Sequence, residues 1–248
     1  MKKTRTLRKD LPFRKIIPNM ITSGNLLCGF LSLVMVYQGH PLPAAWLVAI
    51  AVVFDYLDGK VARSLGGSSD FGVELDSLAD VVSFGVAPAF LAHSVYIGLD
   101  GGLHGALAAA FFALCGALRL ARFNVTHVVG PFQGLPIPAA GLSLGAFILA
   151  GVPLPAWGAE LALVSLGGLM ISKVPYGNLK KLRKGNLNRH RAAFLGGFLL
   201  LLGVVLKEKA PLAMGGIYVA SGLVHLDWGT WLSLCPLEDE EEPLEEEI

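Results

Sequence analysis

Asp55-Tyr56-Leu57-Asp58-Gly59-Lys60-Val61-Ala62-Arg63 and, eight residues further on, Gly72-Val73-Glu74-Leu75-Asp76-Ser77-Leu78-Ala79-Asp80 place four aspartates inside two otherwise apolar stretches. A carboxylate at membrane depth costs at least about 2.5–3.5 kcal/mol on insertion scales, so four of them imply a shared, compensating purpose. Asp55 and Asp58 lie three residues apart, and Asp76 and Asp80 four apart. Each spacing sets its pair on one helical face. An antiparallel hairpin around residues 64–71 would turn the two faces toward each other. Four carboxylates in a small volume repel unless cations sit among them. Magnesium or manganese suits such a cluster, because both take oxygen ligands and bind phosphates alongside carboxylates.

The neighbouring residues suit a nucleotide diphosphate. Gly59 lacks a side chain and lets a ligand approach the helix backbone. Ala62 is the next small residue on that side. Arg63 can fork onto phosphate oxygens, which a lysine could meet only as a point charge. Gly72, four residues before Asp76, keeps the facing helix close. The same acids read alone are also compatible with ion pairing to Lys60 and Arg63, or with the lining of a water-filled ion path.

Working outward, the chain of 248 residues is 54% apolar and 16% charged. Soluble domains carry about 25% charged residues, so the deficit indicates a lipid environment. A helix needs about 20 mostly apolar residues to cross the hydrocarbon layer. Candidate spans are 20–38, 43–64, 72–99, 103–124, 136–152, 155–172, 191–206 and 211–226. The expected fold is therefore all-α: a polytopic transmembrane bundle of about eight spans. Turn chemistry separates them at Gly39-His40-Pro41, Gly98 to Gly102, Pro153 to Pro155 and Ala210-Pro211. Three parts are expected: a basic arm or interfacial helix over 1–17, a transmembrane domain over 18–234, and an acidic tail over 235–248.

The net charge of +1 hides a strong asymmetry. Seven Lys or Arg fall in the first fifteen residues, and seven more between Lys173 and Arg191. With eight spans and both termini inside, 18 of the 20 Lys and Arg lie on the cytoplasmic side, and only Lys207 and Lys209 lie outside. The hairpin between the second and third spans then faces the cytoplasm, in a multi-pass protein of the cell membrane. Residues 5–17 alternate basic and apolar positions ahead of Pro18, a pattern that suits a short helix on an anionic leaflet or a disordered arm. The first apolar run is long enough to span, so it reads as an uncleaved helix. Eight of the nineteen acids crowd the last eleven residues, as in solvated tails. Cys28, Cys115 and Cys235 are far apart and form no disulfide framework or zinc motif. Nothing indicates a nucleic-acid partner. Assembly as a homodimer is left open.

The quoted aspartate string resembles the signature of the CDP-alcohol phosphatidyltransferase family, matching all eight of its specified positions. Further segments are similar to the phosphatidylserine synthase branch. They are Ile17-Pro18-Asn19 through Thr22 and Asn25, Arg119-Leu120-Ala121-Arg122-Phe123-Asn124, and Gly134-Leu135-Pro136-Ile137-Pro138. The resemblance covers about residues 16–140. It implies a helical bundle with an active site at the cytoplasmic boundary, binding CDP-diacylglycerol and two divalent ions, magnesium or manganese. Asp55, Asp58 and Asp76 would hold one ion. The second would lie among the same carboxylates with Asp80 added, and Asp80 is also the implied general base. Gly59, Ala62, Arg63 and Gly72 would meet the CDP moiety. Asn19, Thr22 and Asn25 would help, since they recur every third residue and make one face of the first span polar. Capping and interhelical hydrogen bonding are the alternative use of those three.

The implied reaction is attack by the hydroxyl of L-serine on the lipid-side phosphorus, with CMP leaving and the acyl chains remaining among membrane lipids. Serine brings a carboxylate, which Arg119 and Arg122 could clasp, with Asn124 just beyond. The arginines could equally anchor a helix end at the interface. Glycerol 3-phosphate or inositol phosphate as acceptor would require a denser basic pocket. A cation transporter is the rival from another class, but its broken spans usually come in two halves, whereas here all four acids belong to one hairpin and Arg63 opposes a cation path.

Overall fold

In the computed structural model, residues 13–67, 69–98, 101–126, 134–174, 176, 188–224 and 231–232 are described. The predicted basic arm up to residue 12, the basic cluster from Lys180 to Lys184, Cys235 and the acidic tail lie outside them. Helix α1 (Phe13–Tyr37) runs straight through Pro18. Residues 13–17 therefore continue into the first span rather than forming an element of their own. Gly39 takes the left-handed conformation (φ 78°) that closes helix C-termini, and its N–H donates to Val36 O. Helix α2 (Pro41–Ser64) starts two residues later with proline in its first turn, where no helical N–H is needed. The two helices form a close antiparallel hairpin. Ala44, Ala45, Val48 and Ala51 are buried along the seam, and Ser32 Oγ donates to Ala44 O at 3.0 Å.

Gly66 and Gly67, both at positive φ, turn the chain back. Ser69 caps α3 (Asp70–Asp80) by accepting from Gly72 N–H at 3.1 Å. Helix α3 continues without a break through a π-helical turn (Val81–Val86), α4 (Ala87–Ala92) and a second π turn (His93–Ile97). The π turn ahead of Pro88 widens the rod where the proline ring would otherwise meet the preceding turn. This turn is the centre of the bundle. A Cβ on Gly29 of α1 would stand 2.7 Å from Ser83 Cα, and one on Gly141 would stand 2.7 Å from Phe84 O. Only glycine permits such approaches from both sides.

Helix α5 (Gly102–Thr126) packs against this rod and against α7 (Ala156–Ile171), with α6 (Ile137–Leu149) alongside. Phe84, Phe112, Cys115, Leu135, Ile137, Leu163 and Met170 make the common core. Helix α8 (Arg189–Leu206) packs chiefly on α9 (Ala210–Leu223), and α9 on α6. Among the described residues every regular element is helical, as expected. Four helical stretches among the described residues, Ile16–Tyr37, Pro41–Ser64, Asp70–Ile97 and Gly102–Val125, are long and apolar enough to cross a membrane. They match the first four predicted spans closely. Leu27, Phe30, Trp46, Val53, Phe90 and Leu114 point outward on them. Such a surface is unfavourable in water and ordinary against lipid.

The approach at Gly29 generates a stability test. Gly29→Val should destabilise the protein by about 1–3 kcal/mol through overpacking, read as a lowered Tm in detergent. Gly196→Ala, where a Cβ would meet nothing within 4 Å, should leave Tm unchanged or slightly raised.

Candidate active site

The α2–α3 hairpin turns the two aspartate pairs toward each other, as the spacing predicts. One carboxylate oxygen from each of Asp55, Asp76 and Asp80 comes within 4.8 Å of the others. Asp58 is buried at the same end and lines an adjoining open cleft together with Asp76. The empty space in and before that cleft is about 450 Å³, open solvent included. Its walls are Pro18, Asn19 and Thr22 from α1, Asp58, Gly59 and Ala62 from α2, and Gly67, Ser69, Gly72, Val73 and Asp76 from the turn and α3. Of the residues assigned from sequence to the nucleotide, Asn19, Thr22, Gly59, Ala62 and Gly72 line the cleft. Arg63 folds back beside it, its Nη1 lying 3.4 Å from where a Gly59 Cβ would stand.

Asn25 sits apart from the cleft and deeper. It is fully buried, and its Nδ2 donates to Asp80 Oδ1 at 3.1 Å. Its main-chain carbonyl accepts from Ser83 Oγ at 2.9 Å. Asn25 therefore ties α1 to the aspartate and to the π turn just beyond it. Thr22 lies beside Asp58, while its hydroxyl is 3.1 Å from Pro18 O. Its single hydrogen can serve either acceptor. Gly72 has a direct reason to be glycine, since a Cβ there would stand 2.9 Å from Asn19 Oδ1.

The donor set fits a divalent cation. Asp58 Oδ2 and Asp76 Oδ1 are buried and lack a hydrogen-bond partner among the described residues. An unpartnered buried carboxylate oxygen is costly, and an ion bound to it removes that cost. All the converging ligands are hard oxygens, which favours magnesium or manganese over a thiophilic metal.

On the other side of Asp80 stands α5. Arg119 is buried and lies within electrostatic range of Asp80, Arg122 and Tyr218. Arg122 extends from the next turn and donates from Nη1 to Ile171 O, at the C-terminus of α7, at 3.3 Å. A cation there also meets the negative end of the helix dipole. Asn124 Nδ2 donates to Ser77 Oγ at 3.0 Å, bracing α3 between Asp76 and Asp80. The Gly134-Leu135-Pro136 segment joins the same helix end. Gly134 N–H donates to Val174 O and Leu135 N–H to Leu169 O, and Gly134 has a φ of 81° with no room for a side chain against Met170 O. Two of the three segments that resemble one branch of the family thus converge on the end of α7. Sequence reasoning missed Ser83 and Tyr218. Neither belongs to a spaced motif; the π turn and the packing of α9 bring them in.

These features define a class of helical protein with membrane-spanning apolar helices and one hairpin of opposed acids beside a cleft. The chain belongs to the CDP-alcohol phosphatidyltransferase family, which it matches over residues 15–174. It is similar to the CDP-diacylglycerol–serine O-phosphatidyltransferase of Helicobacter pylori (strain ATCC 700392 / 26695), 36% identical over 88% of this chain and 92% of the relative. It is also similar to the enzyme of the same name from Bacillus subtilis (strain 168), 39% identical over 71% of this chain and 97% of the relative. A third relative is the archaetidylserine synthase of Methanothermobacter thermautotrophicus, 39% identical over 64% of this chain and 69% of its own length. The family and the four long apolar helices together make this a membrane protein.

Magnesium or manganese at about 100 times its Kd should stabilise the detergent-solubilised protein by about 2.7 kcal/mol, seen as a Tm raised by several degrees. Asp76→Asn should abolish the shift. An equal shift in both proteins would place the ion elsewhere.

Proposed function

We infer that this chain transfers the phosphatidyl group of CDP-diacylglycerol to the hydroxyl of L-serine and releases CMP. The observation that carries the reading is the meeting of Asp55, Asp76 and Asp80 beside the cleft between α1, α2 and α3. The names of the relatives from H. pylori and B. subtilis support the same donor and acceptor.

The cleft takes the CDP moiety. Gly59 and Ala62 let the diphosphate lie against the α2 backbone, Gly72 keeps α3 and Asn19 close, and Arg63 forks onto phosphate oxygens at the mouth. Asn19 and Thr22 supply hydrogen bonds from α1. Asp55, Asp58 and Asp76 would hold one divalent ion, and the same carboxylates with Asp80 added would hold a second. Bound magnesium or manganese neutralises the charge that builds on the departing phosphate. Asn25 occupies one oxygen of Asp80 and orients the other toward the acceptor. There Asp80 takes the proton of the serine hydroxyl as the new oxygen–phosphorus bond forms and the bond to CMP breaks. Arg119 receives the serine carboxylate, with Arg122 and Asn124 closing that side.

Around this site we place about eight spans, α1, α2, the Asp70–Ile97 rod, α5, α6, α7, α8 and α9, in a domain over 18–234. The positive residues favour a cytoplasmic site, where water-soluble serine meets a donor whose acyl chains stay in the bilayer.

Incubation with CDP-diacylglycerol and, separately, L-serine, glycerol 3-phosphate or inositol phosphate should release CMP with serine alone, and only with magnesium or manganese present. Release with a phosphorylated acceptor instead would contradict the reading. Asp80→Asn should lower kcat by about 10²–10⁴-fold while CDP-diacylglycerol still binds. Near-normal turnover would remove Asp80 from the base role.

A further inference from the structure

Two polar side chains of the cleft keep hydrogen-bonding capacity that the fold does not use. Ser69 follows the Gly66-Gly67 turn and caps α3, its Oγ accepting from Gly72 N–H at 3.1 Å. That bond engages the oxygen and leaves the hydroxyl hydrogen without an acceptor among the described residues. Asn19 stands opposite on α1. Its main-chain carbonyl accepts from Ser23 Oγ at 2.8 Å, while its carboxamide makes no hydrogen bond to a described residue. Asn19 Oδ1 and Ser69 Oγ lie 2.9 Å and 3.2 Å from the single point where a Gly72 Cβ would stand. The two oxygens are therefore neighbours across Gly72, and both residues line the cleft.

The place of this pair along α3 decides which part of a nucleotide it meets. Ser69 precedes Asp76 by seven residues, roughly 10 Å of helix at 1.5 Å per residue. A diphosphate held at Asp58 and Asp76 leaves the nucleoside to run past Gly72 toward Ser69 and Asn19. A distance of that size takes the sugar and the base together, so the edge of the base reaches the pair. Pro18, Gly67 and Val73, which also line the cleft, have no side-chain hydrogen-bonding group. Polar recognition at this end therefore falls to Ser69 and Asn19.

We propose that Ser69 is a specificity-determining residue: its uncommitted hydroxyl hydrogen, beside the Asn19 carboxamide, reads the edge of the nucleobase and selects cytosine over uracil. The capping bond fixes the polarity of the contact. With its oxygen engaged by Gly72 N–H, the hydroxyl meets a ligand as a donor. Cytosine offers a ring nitrogen that accepts, next to an amine that donates; uracil offers the reverse, a ring N–H next to a carbonyl. Ser69 thus pairs with the cytosine ring nitrogen and faces a second donor in uracil. The Asn19 carboxamide, with both donors and an acceptor, seats the exocyclic group alongside. A site built to hydrogen-bond one pattern rejects the other because its polar groups are left unpaired. The inference rests on the CDP-diacylglycerol reading and extends it to a residue outside the eight-position signature.

The test measures binding of CMP and UMP to the detergent-solubilised protein, with magnesium present, in wild type, Ser69→Gly and Ser69→Thr. Glycine caps a helix nearly as well as serine, and an unchanged Tm verifies folding. Ser69→Gly should raise the Kd for CMP about five- to ten-fold, the loss of one hydrogen bond, and leave the Kd for UMP unchanged. Its preference for CMP then falls by the same factor, whereas Ser69→Thr, which keeps the hydroxyl, should retain it. A ligand-side measurement needs no variant: 3-methylcytidine 5′-monophosphate, with its ring nitrogen blocked, should bind wild type on the order of ten-fold more weakly than CMP. Equal losses for CMP and UMP would put the Ser69 hydroxyl on the sugar or phosphate and overturn the proposal. Unchanged binding of both nucleotides by Ser69→Gly, or equal binding of CMP and its methylated form by wild type, would also overturn it, with the CDP reading intact. Wild-type protein that binds neither CMP nor UMP overturns both.

Discussion

Like-charge repulsion among the hairpin aspartates is the constraint on which the rest depends. Two carboxylates about 5 Å apart repel by roughly 3 kcal/mol at an effective dielectric near 20. Asp55, Asp76 and Asp80 approach more closely than that, and Asp58 adds a fourth charge beside them. A flexible pair of helices would relax by parting. Here both helices are held against α1, and the rod that continues α3 packs closely on α1 and α6 at glycines. Gly29 lies against the Ser83 backbone, Gly141 against Phe84, and Gly72 against Asn19. The scaffold holds the charges together, and a cation bound among them would offset their repulsion.

From that constraint the division of labour follows. Asp80 sits where the first π turn begins, pinned by Asn25 and by the bond from Ser83 to the Asn25 carbonyl. On one side, α1, α2 and α3 shape a cleft with small residues and amides, which suits a large, flat and highly charged ligand. Elsewhere around Asp80, α5 brings the two arginines that we assign to the small charged acceptor. The separation matters chemically, since the attacking oxygen and the leaving phosphate must occupy opposite sides of the same phosphorus.

Much of this was legible in the sequence, for a physical reason. Buried charge in an apolar helix is so costly that its presence and spacing carry information, and Asp55, Asp58, Asp76 and Asp80 announced the hairpin that brings them together. The first four spans were equally plain from length and apolar content. What sequence could not give was the work of residues with several uses. Asn25 belongs to the polar stripe of α1 with Asn19 and Thr22, yet only the structure separates it from the cleft and gives it to Asp80. Arg122 and Asn124 share a segment with Arg119, but they brace the end of α7 and Ser77 of α3 while Arg119 is buried. Ser83 gains its place from a π turn, which periodicity at 3.6 residues does not anticipate. Tyr218 gains its place from tertiary packing alone.

The central claim is that these opposed carboxylates trap divalent ions against a diphosphate. Crystals of the protein grown with CDP-diacylglycerol and manganese, measured at the manganese absorption edge, test it most directly. The account predicts anomalous peaks between Asp55, Asp58, Asp76 and Asp80, in contact with the nucleotide phosphates. Manganese bound only at the acidic surface, with the aspartates turned apart around a phosphate that touches no metal, would contradict it.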